Sequence, residues 1–257
     1  MTPIADILAA AQPTPTGFTA TLPSDWMQGR TAYGGISSAI ALHAAQQCEP
    51  DLPPLRSAQI SFIGPLAGDI TVTTSKLRRG RNAAFIQSDI VSDAGLGYRA
   101  TFVFMADQQS KLDFDQRVLV GRAPPGPNDT LYTGPDNIFI GNFNFLDLKD
   151  NVAEGELVRW ARLRATDGLD PMVHVMAVAD ALPPAVARMF GGGFPPVSSL
   201  TWIVNMMTPA PSTTDGWWLL SAKSDFARHG CSSQTMRIWN ADGELMAEGM
   251  QSVAIFA

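Results

Sequence analysis

One pattern of strands and turns occurs twice in the chain, first in residues 55–107 and again in residues 199–257. Each copy reads as a strand, a proline turn, a strand, a basic-glycine turn, a strand, an Asp/Gly turn and a last strand. Three pairs of turn residues stay in step between the copies: Pro65 and Pro209, Gly80 and Gly230, and Asp93 and Asp242. The repeat predicts two similar domains that share an interface, and clefts between domains commonly hold small-molecule sites.

The composition is typical of a soluble globular protein, because 46% of the 257 residues are hydrophobic and 16% are charged. No uninterrupted run reaches the ~18 apolar residues that a membrane helix needs. The first residues carry Asp6 and lack the basic start of a secretory signal. We therefore expect a cytoplasmic protein with no membrane partner.

The charge and the cysteines exclude several other classes. A net charge of −6 leaves no electrostatic footprint for nucleic acid. Cys48 and Cys231 lie outside any CxxC or CxxH spacing, so we expect two buried free thiols and no zinc site. No nucleotide-binding, zinc-protease or serine-hydrolase motif occurs in the sequence. Neither a metal nor an organic cofactor is expected.

One helix is predicted ahead of each set of strands. The first covers residues 35–47 and is rich in small side chains, which let a helix lie close to a sheet. The second covers residues 180–190, with Asp180 as its N-cap and two prolines in its first turn. Residues 98–105 read as apolar on both faces, which predicts a strand covered on both sides. Residues 108–152 read as a surface linker, and the whole as an α+β architecture.

Two segments of the first half carry a resemblance to a known family. WMQGRTAYGGISSAIALHAA looks like the tryptophan, Gly-Gly and small-residue helix of the acyl-CoA thioesterase II (TesB-like) family, and LRSAQISFIGPL looks like its strand before a proline turn. The resemblance covers most of the chain. It implies a double hotdog fold, in which each of two tandem domains wraps a curved antiparallel sheet around a long helix. We expect an N-terminal domain over residues 1–120 and a linker plus C-terminal domain over residues 121–257.

The same resemblance implies three catalytic residues in the second half. VADALPPAVARMF supplies Asp180, VSSLTW supplies Ser199, and LMAEGMQSVAIF supplies Gln251. The family hydroxyl is usually a threonine in a different local sequence, so Ser198 or Thr201 remains an alternative to Ser199. The three residues would hold and polarise a water for thioester hydrolysis, which needs a proton acceptor and donors toward the developing oxyanion.

Each of these residues also has a purely structural reading when taken alone. Asp180 would be a helix N-cap, Ser199 a hydroxyl at a strand edge, and Gln251 an ordinary polar residue of a strand. Only their joint occurrence in the order of the family favours a site. The first half has Tyr33-Gly34-Gly35 where the second has Asp180, so we expect one working site per chain.

Four residues are candidates for binding the substrate. Gly34 and Gly35 would let a thioester approach backbone N–H groups at a helix start, although a tight turn also explains them. Arg79 and Arg81 lie in a basic group that could meet the phosphates of CoA, and solvated surface charges are the alternative reading.

The sequence thus predicts an enzyme of lipid metabolism that hydrolyses acyl-CoA, with its two halves joined in one continuous sheet. Pairing of sheet edges also leaves room for a homodimer. One rival is a hotdog hydratase or dehydratase of enoyl or 3-hydroxyacyl thioesters, but those enzymes use a histidine near the helix and none stands at either helix start. The other is a non-catalytic acyl-CoA binding protein.

Overall fold

The computed structural model describes residues 1–117, 119–148, 152–191 and 196–256. The α-helices of these residues are α1 (Ile4–Ala9), α2 (Gly34–Gln47) and α3 (Pro171–Ala179). The strands are β1 (Gln12–Thr14), β2 (Gly17–Leu22), β3 (Met27–Gln28), β4 (Thr31–Ala32), β5 (Leu55–Phe62), β6 (Gly68–Arg79), β7 (Ala83–Ser92), β8 (Gly95–Met105), β9 (Phe143–Leu148), β10 (Glu156–Leu163), β11 (Val197–Met206), β12 (Trp218–Arg228), β13 (Cys231–Trp239) and β14 (Leu245–Ile255). Short 3-10 helices lie at Ser24–Trp26, Phe139–Asn142, Ala185–Phe190 and Thr214–Gly216.

Twelve of the strands form one antiparallel sheet in the order β1-β2-β6-β7-β8-β5-β11-β14-β13-β12-β10-β9. Read outward from the centre, β5, β8, β7 and β6 of the first half answer β11, β14, β13 and β12 of the second. The halves join where β5 pairs with β11. The prediction of two halves sharing one continuous sheet is therefore confirmed.

The register of the strands follows the repeat that the turns predict. The ladder of β5 with β8 shifts at Arg56, and the ladder of β11 with β14 shifts at Leu200. These two shifts lie 144 residues apart, the offset that also separates Pro65 from Pro209. The duplication is thus present strand by strand, including its irregularities.

Helix α2 begins at Gly34 and ends at Gln47, close to the predicted 35–47. Its buried side chains are mostly small, which lets the strands of the sheet pack close to it. Helix α3 packs directly on α2, and a Cβ at Gly35 would collide with the carbonyl oxygen of Ala177 on α3. The two helices therefore pack against each other, with α2 against β6, β7 and β8 of the first half and α3 against β10 of the second.

The second predicted helix is wrong in its position. Helix α3 begins at Pro171, and Asp170 caps it by accepting from the N–H groups of Met172 and Val173 at 3.0 and 3.1 Å. Asp180 follows the end of this helix instead of starting one. The apolar residues 172–179 are all but one buried and form the true helix, whereas the prolines after Asp180 leave only a 3-10 helix.

Two further expectations need correction. Strand β8 is interior to the sheet but is covered on one face, because Phe102 and Phe104 are buried while Arg99 and Met105 are exposed. The segment predicted as linker ends in β9, which forms an edge strand of the second half. The boundary between residues 120 and 121 stays a prediction. No helix in the described residues is both long and apolar enough to span a membrane.

Candidate active site

A carboxylate and two amides form a hydrogen-bonded chain on the inner face of the second half. Gln251 Nε2 on β14 donates to Asp180 Oδ1 at 3.1 Å, and Gln234 Nε2 on β13 donates to Gln251 Oε1 at 2.7 Å. The chain ends at a backbone group, since the N–H of Ala185 donates to Gln234 Oε1 at 2.9 Å. Both glutamine side chains are buried, so each amide depends on these partners.

The carboxylate of Asp180 faces the first turn of α2. A Cβ at Gly34 would collide with Asp180 Oδ2 and would lie 2.9 Å from the ring of Phe62. Within the described parts of the chain, no side chain caps the N-terminus of α2. The open N–H groups of this turn and the positive end of the helix dipole are therefore directed toward Asp180.

The site takes its glycine from one half and its acid from the other. Aligning Asp180 with Tyr33-Gly34-Gly35 as equivalent helix starts is wrong, because Asp180 ends α3 whereas Gly34 begins α2. Gly35 has a packing role, as a side chain there would collide with Ala177 and with the ring of Tyr33.

Asp180 lines a cavity of about 470 Å³ between the start of α2 and the start of β11. Its other lining residues include Gly34, Phe62, Tyr98 and Ser199, with exposed apolar side chains toward the mouth. Larger cavities occur elsewhere, and one of about 820 Å³ lies beside α1 against exposed carboxylates. We assign the site to the smaller cavity because it is lined by Asp180, the acid to which the buried amide of Gln251 donates.

The register shift at Leu200 brings Ser199 to the cavity. On β11 the buried positions alternate from Trp202 onward, and the extra residue at Leu200 turns Ser199, which is half-buried, to the inner face. Ser198 touches the cavity but is exposed, and Thr201 is exposed on the outer face. No hydrogen bond joins Ser199 to Asp180 among the residues that the structure describes.

Tyr98 is a cavity residue that the sequence did not suggest. Its hydroxyl donates to Ser38 Oγ at 3.1 Å, and Ser38 Oγ donates to the carbonyl of Gly34 at 2.9 Å. Burial raises the pKa of Tyr98 above its ordinary value, and the nearby charge of Asp180 raises it further. The phenol therefore stays neutral and braces the start of α2. A strand position with large apolar neighbours gave no signal for this role.

The protonation of Asp180 is poised near neutral pH. Loss of hydration raises the pKa of Asp180 to about 7, and the hydrogen bond from Gln251 opposes the rise. A carboxyl group with such a pKa is present in both forms at pH 7, so it can accept a proton and return it. Perturbation of this size in a cavity is typical of functional acids.

Two family models match the chain over most of its length. One is described as the acyl-CoA thioesterase N-terminal domain and matches residues 22–105, and the other as the acyl-CoA thioesterase C-terminal domain and matches residues 121–255. The chain belongs to the acyl-CoA thioesterase family. It is therefore an enzyme that hydrolyses thioesters, and acyl-CoA is its class of substrate.

Solved structures show the same fold along the whole thioesterase chain. A conserved hot dog fold protein of Alicyclobacillus acidocaldarius is 19% identical over 100% of this chain and 99% of its own, with a TM-score of 0.83. The acyl-CoA thioesterase II TesB2 of Mycobacterium marinum is 16% identical over 98% and 96%, with a TM-score of 0.75. The tesB protein of Mycobacterium avium subs paratuberculosis is 17% identical over 100% of both chains, with a TM-score of 0.77. No curated protein matches the chain. The double hotdog fold is thus confirmed.

The two basic residues predicted to bind substrate lie far from the cavity of the thioesterase. Arg79 ends β6 and Arg81 follows it in the turn to β7, and Arg79 donates to the backbone carbonyl of Asp51 at 3.1 Å. The length of β5, about 25 Å, separates this turn from Asp180. Arg30 is a cation that does line the cavity, in the turn between β3 and β4.

The histidines and cysteines of the thioesterase lie outside the cavity lining. His43 contacts Gln47 and Phe18, and His174 contacts Trp218 edge-on. Cys48 is half-buried and Cys231 is exposed, so the expectation of two buried thiols is not met by either residue and is furthest from Cys231. That residue stands next to a tight turn, where the strand leaves the core.

Proposed function

We propose that the thioesterase hydrolyses acyl-CoA with a water that Asp180 deprotonates in the cavity between α2 and β11. The observation that carries the proposal is a half-buried carboxylate, held by Gln251 and set against the uncapped first turn of a helix. A base and a set of backbone donors in one cavity are two requirements of thioester hydrolysis.

The backbone N–H groups of Gly34 and Gly35 are the proposed donors to the carbonyl oxygen. They begin a helix of 14 residues, so the helix dipole adds to their attraction for negative charge. The missing Cβ at Gly34 lets the carboxylate of Asp180 and the ring of Phe62 approach the helix start closely. Donors of this kind stabilise the oxyanion more strongly than the neutral carbonyl, which lowers the barrier.

The reaction then runs in two steps. The oxygen of water attacks the carbonyl carbon as Asp180 takes one of its protons, and the carbonyl oxygen becomes an oxyanion facing α2. The intermediate collapses, the carbon–sulfur bond breaks, and the electron pair leaves with the sulfur of CoA. Asp180 returns the proton to this thiolate, so the products are the free acid and CoA, and the carboxylate is regenerated.

Gln251 and Ser199 have the proposed role of placing the water. Gln251 fixes one oxygen of Asp180, which leaves the other oxygen facing α2 to accept the proton. Ser199 lines the same cavity as Asp180 and offers a hydroxyl that can both donate and accept. The water would lie between the carboxylate and this hydroxyl.

A second reading of the site is weaker. A hydratase or dehydratase of this fold would use a histidine with an acid, and none of the three histidines lines the cavity that contains Asp180. A binding protein without activity would not require a carboxylate whose pKa lies near neutrality.

The test is release of free thiol from acyl-CoAs that run from acetyl to palmitoyl, with benzoyl-CoA included. The expected result is turnover with at least one acyl group, lowered by about 100-fold or more in Asp180→Asn. Water addition to enoyl-CoA without thiol release would favour the hydratase. Tight binding of acyl-CoA with no release from any substrate would favour the binding protein.

A further inference from the structure

The side-chain amide of Gln251 has two possible orientations, and only one of them donates a hydrogen bond to Asp180. As observed, Gln251 Nε2 donates to Asp180 Oδ1 and Gln251 Oε1 accepts from Gln234 Nε2. Rotation of the amide by half a turn would set its oxygen against the carboxylate and its nitrogen against the nitrogen of Gln234. Both contacts would then be repulsive.

Gln234 is itself held in one orientation by the backbone. The N–H of Ala185 donates to Gln234 Oε1, and a backbone N–H has no acceptor form. Gln234 must therefore present its NH₂ group to Gln251, which in turn must present its own NH₂ group to Asp180. The direction of three consecutive hydrogen bonds is set by one peptide group at the start of a 3-10 helix.

The fold does not require amides at these positions. Residues that lie opposite one another across three strands form matching rows in the two halves: Ala58, Phe102 and Ile86 in the first, and Trp202, Gln251 and Gln234 in the second. Both rows are buried. The first half packs apolar side chains where the second buries two amides, and a buried amide is destabilising unless it is hydrogen-bonded.

We infer that Gln234 is a positioning residue for thioester hydrolysis, which acts by fixing the orientation of the Gln251 amide toward Asp180. The inference rests on the proposed function of Asp180. Without Gln234 the amide of Gln251 can turn over or leave the carboxylate. The base then loses the hydrogen bond from Gln251, which favours its ionised form.

Gln234→Leu is the direct test. We expect kcat to fall by about 10-fold with KM nearly unchanged, and the acid limb of the kcat–pH profile to move to higher pH, because the hydrogen bond from Gln251 lowers the pKa of Asp180. Gln234→Glu is the second variant, since its carboxylate still accepts from Ala185 but cannot donate to Gln251. Ile86→Leu, at the same place in the other half, is the matched control and should keep the kcat and the profile of the wild type.

A double-mutant cycle separates positioning from general damage. If Gln234 acts through Gln251, then Gln234→Leu should lower kcat little further in a Gln251→Ala background. Losses that multiply, or a Gln234→Leu and a Gln234→Glu enzyme with the kcat and acid limb of the wild type, would overturn the inference. Full activity of Asp180→Asn would instead remove the proposed function on which it rests.

Discussion

The two ends of the paired strands β5 and β11 are equivalent by the repeat but differ in their chemistry. One end holds the cavity of Asp180. The other holds a cavity of about 770 Å³, and its lining includes Pro54, Leu55 and Pro209, which stand 144 residues from Ser198, Ser199 and Pro65 of the first. Duplication therefore produced two equivalent cavities, of which one acquired a buried acid-amide chain. A cavity in this fold is not by itself a site.

The starts of α2 and α3 explain why we expect no hydrolysis at the second end. At the first end, the start of α2 has glycine and no side-chain cap. At the second end, the start of α3 is occupied by Asp170, which accepts from two N–H groups of that helix and from Gln46 Nε2 at 3.1 Å. A capped helix start cannot also bind an oxyanion. The start of α2 thus has open N–H groups, whereas N–H groups at the start of α3 are occupied by Asp170.

The largest expected difference between the ends is the effect of removing each acid. Asp180→Asn should lower turnover by about 100-fold or more, because loss of a general base costs about 10²–10⁴. Asp170→Asn is the matched control, since asparagine caps a helix about as well as aspartate. Its turnover should equal that of the wild type. Thiol-release assays on both variants decide this, and equal losses would break the comparison.

The next largest expected difference is between substitutions in the two matching rows of buried residues. Gln251→Ala should lower kcat by about 10-fold and leave KM nearly unchanged, because its proposed role is to orient the base and water. Phe102→Leu, at the equivalent place in the first half, should leave both constants as they are. A rise in KM alone for Gln251→Ala would make Gln251 a binding residue.

The stability of Asp180→Asn should change in the opposite direction to its activity. The folded-state pKa of Asp180, about 7, lies above the ordinary value of 3.8, so folding disfavours the ionised form. The destabilisation is absent below about pH 4 and complete above about pH 7. Asp180→Asn should therefore melt above the wild type at pH 8, by about 2–4 °C for each kcal/mol, and show no such gain at pH 4. Calorimetry at the two pH values measures this, and a lower Tm at pH 8 would contradict it.

The smallest expected effect concerns the cations at the two ends. Arg30→Ala should raise KM for acyl-CoA about 2–5-fold, the size of an exposed charge contact, and should not affect acyl-N-acetylcysteamine thioesters, which lack phosphates. Arg79 and Arg81 lie toward the other end of β5. A larger effect of Arg79→Ala and Arg81→Ala would support the original prediction and place the phosphates of CoA there.

The sequence predicted the features that depend on local pattern. The strands and turns of the repeat and the small-residue helix α2 follow from alternation, glycine and proline. Asp180, Ser199 and Gln251 came from the resemblance, and the structure brings all three to one region. An aspartate with proline in the following turn signals a helix start, and Asp170 carries this signal as the cap of α3. The prediction used the same signal at Asp180, which follows the end of that helix.

The remaining features of the site could not be predicted, because most of them depend on the register of the strands, which a single sequence does not reveal. Gln234 and Tyr98 look like ordinary strand residues until the ladders set one beside Gln251 and the other beside the start of α2. The approach of Gly34 to Asp180 joins elements from different halves and has no local signal. Arg30 lies in a short turn, where an arginine is most often a solvated charge.

The kcat–pH profile of the wild type beside Asp180→Asn tests the central claim most directly. The claim is that one carboxyl group, of pKa about 7, is the base for hydrolysis. The wild type should lose activity below an acid limb near pH 7, and the residual activity of Asp180→Asn should show no such limb. The same limb in both enzymes would show that another group is the base.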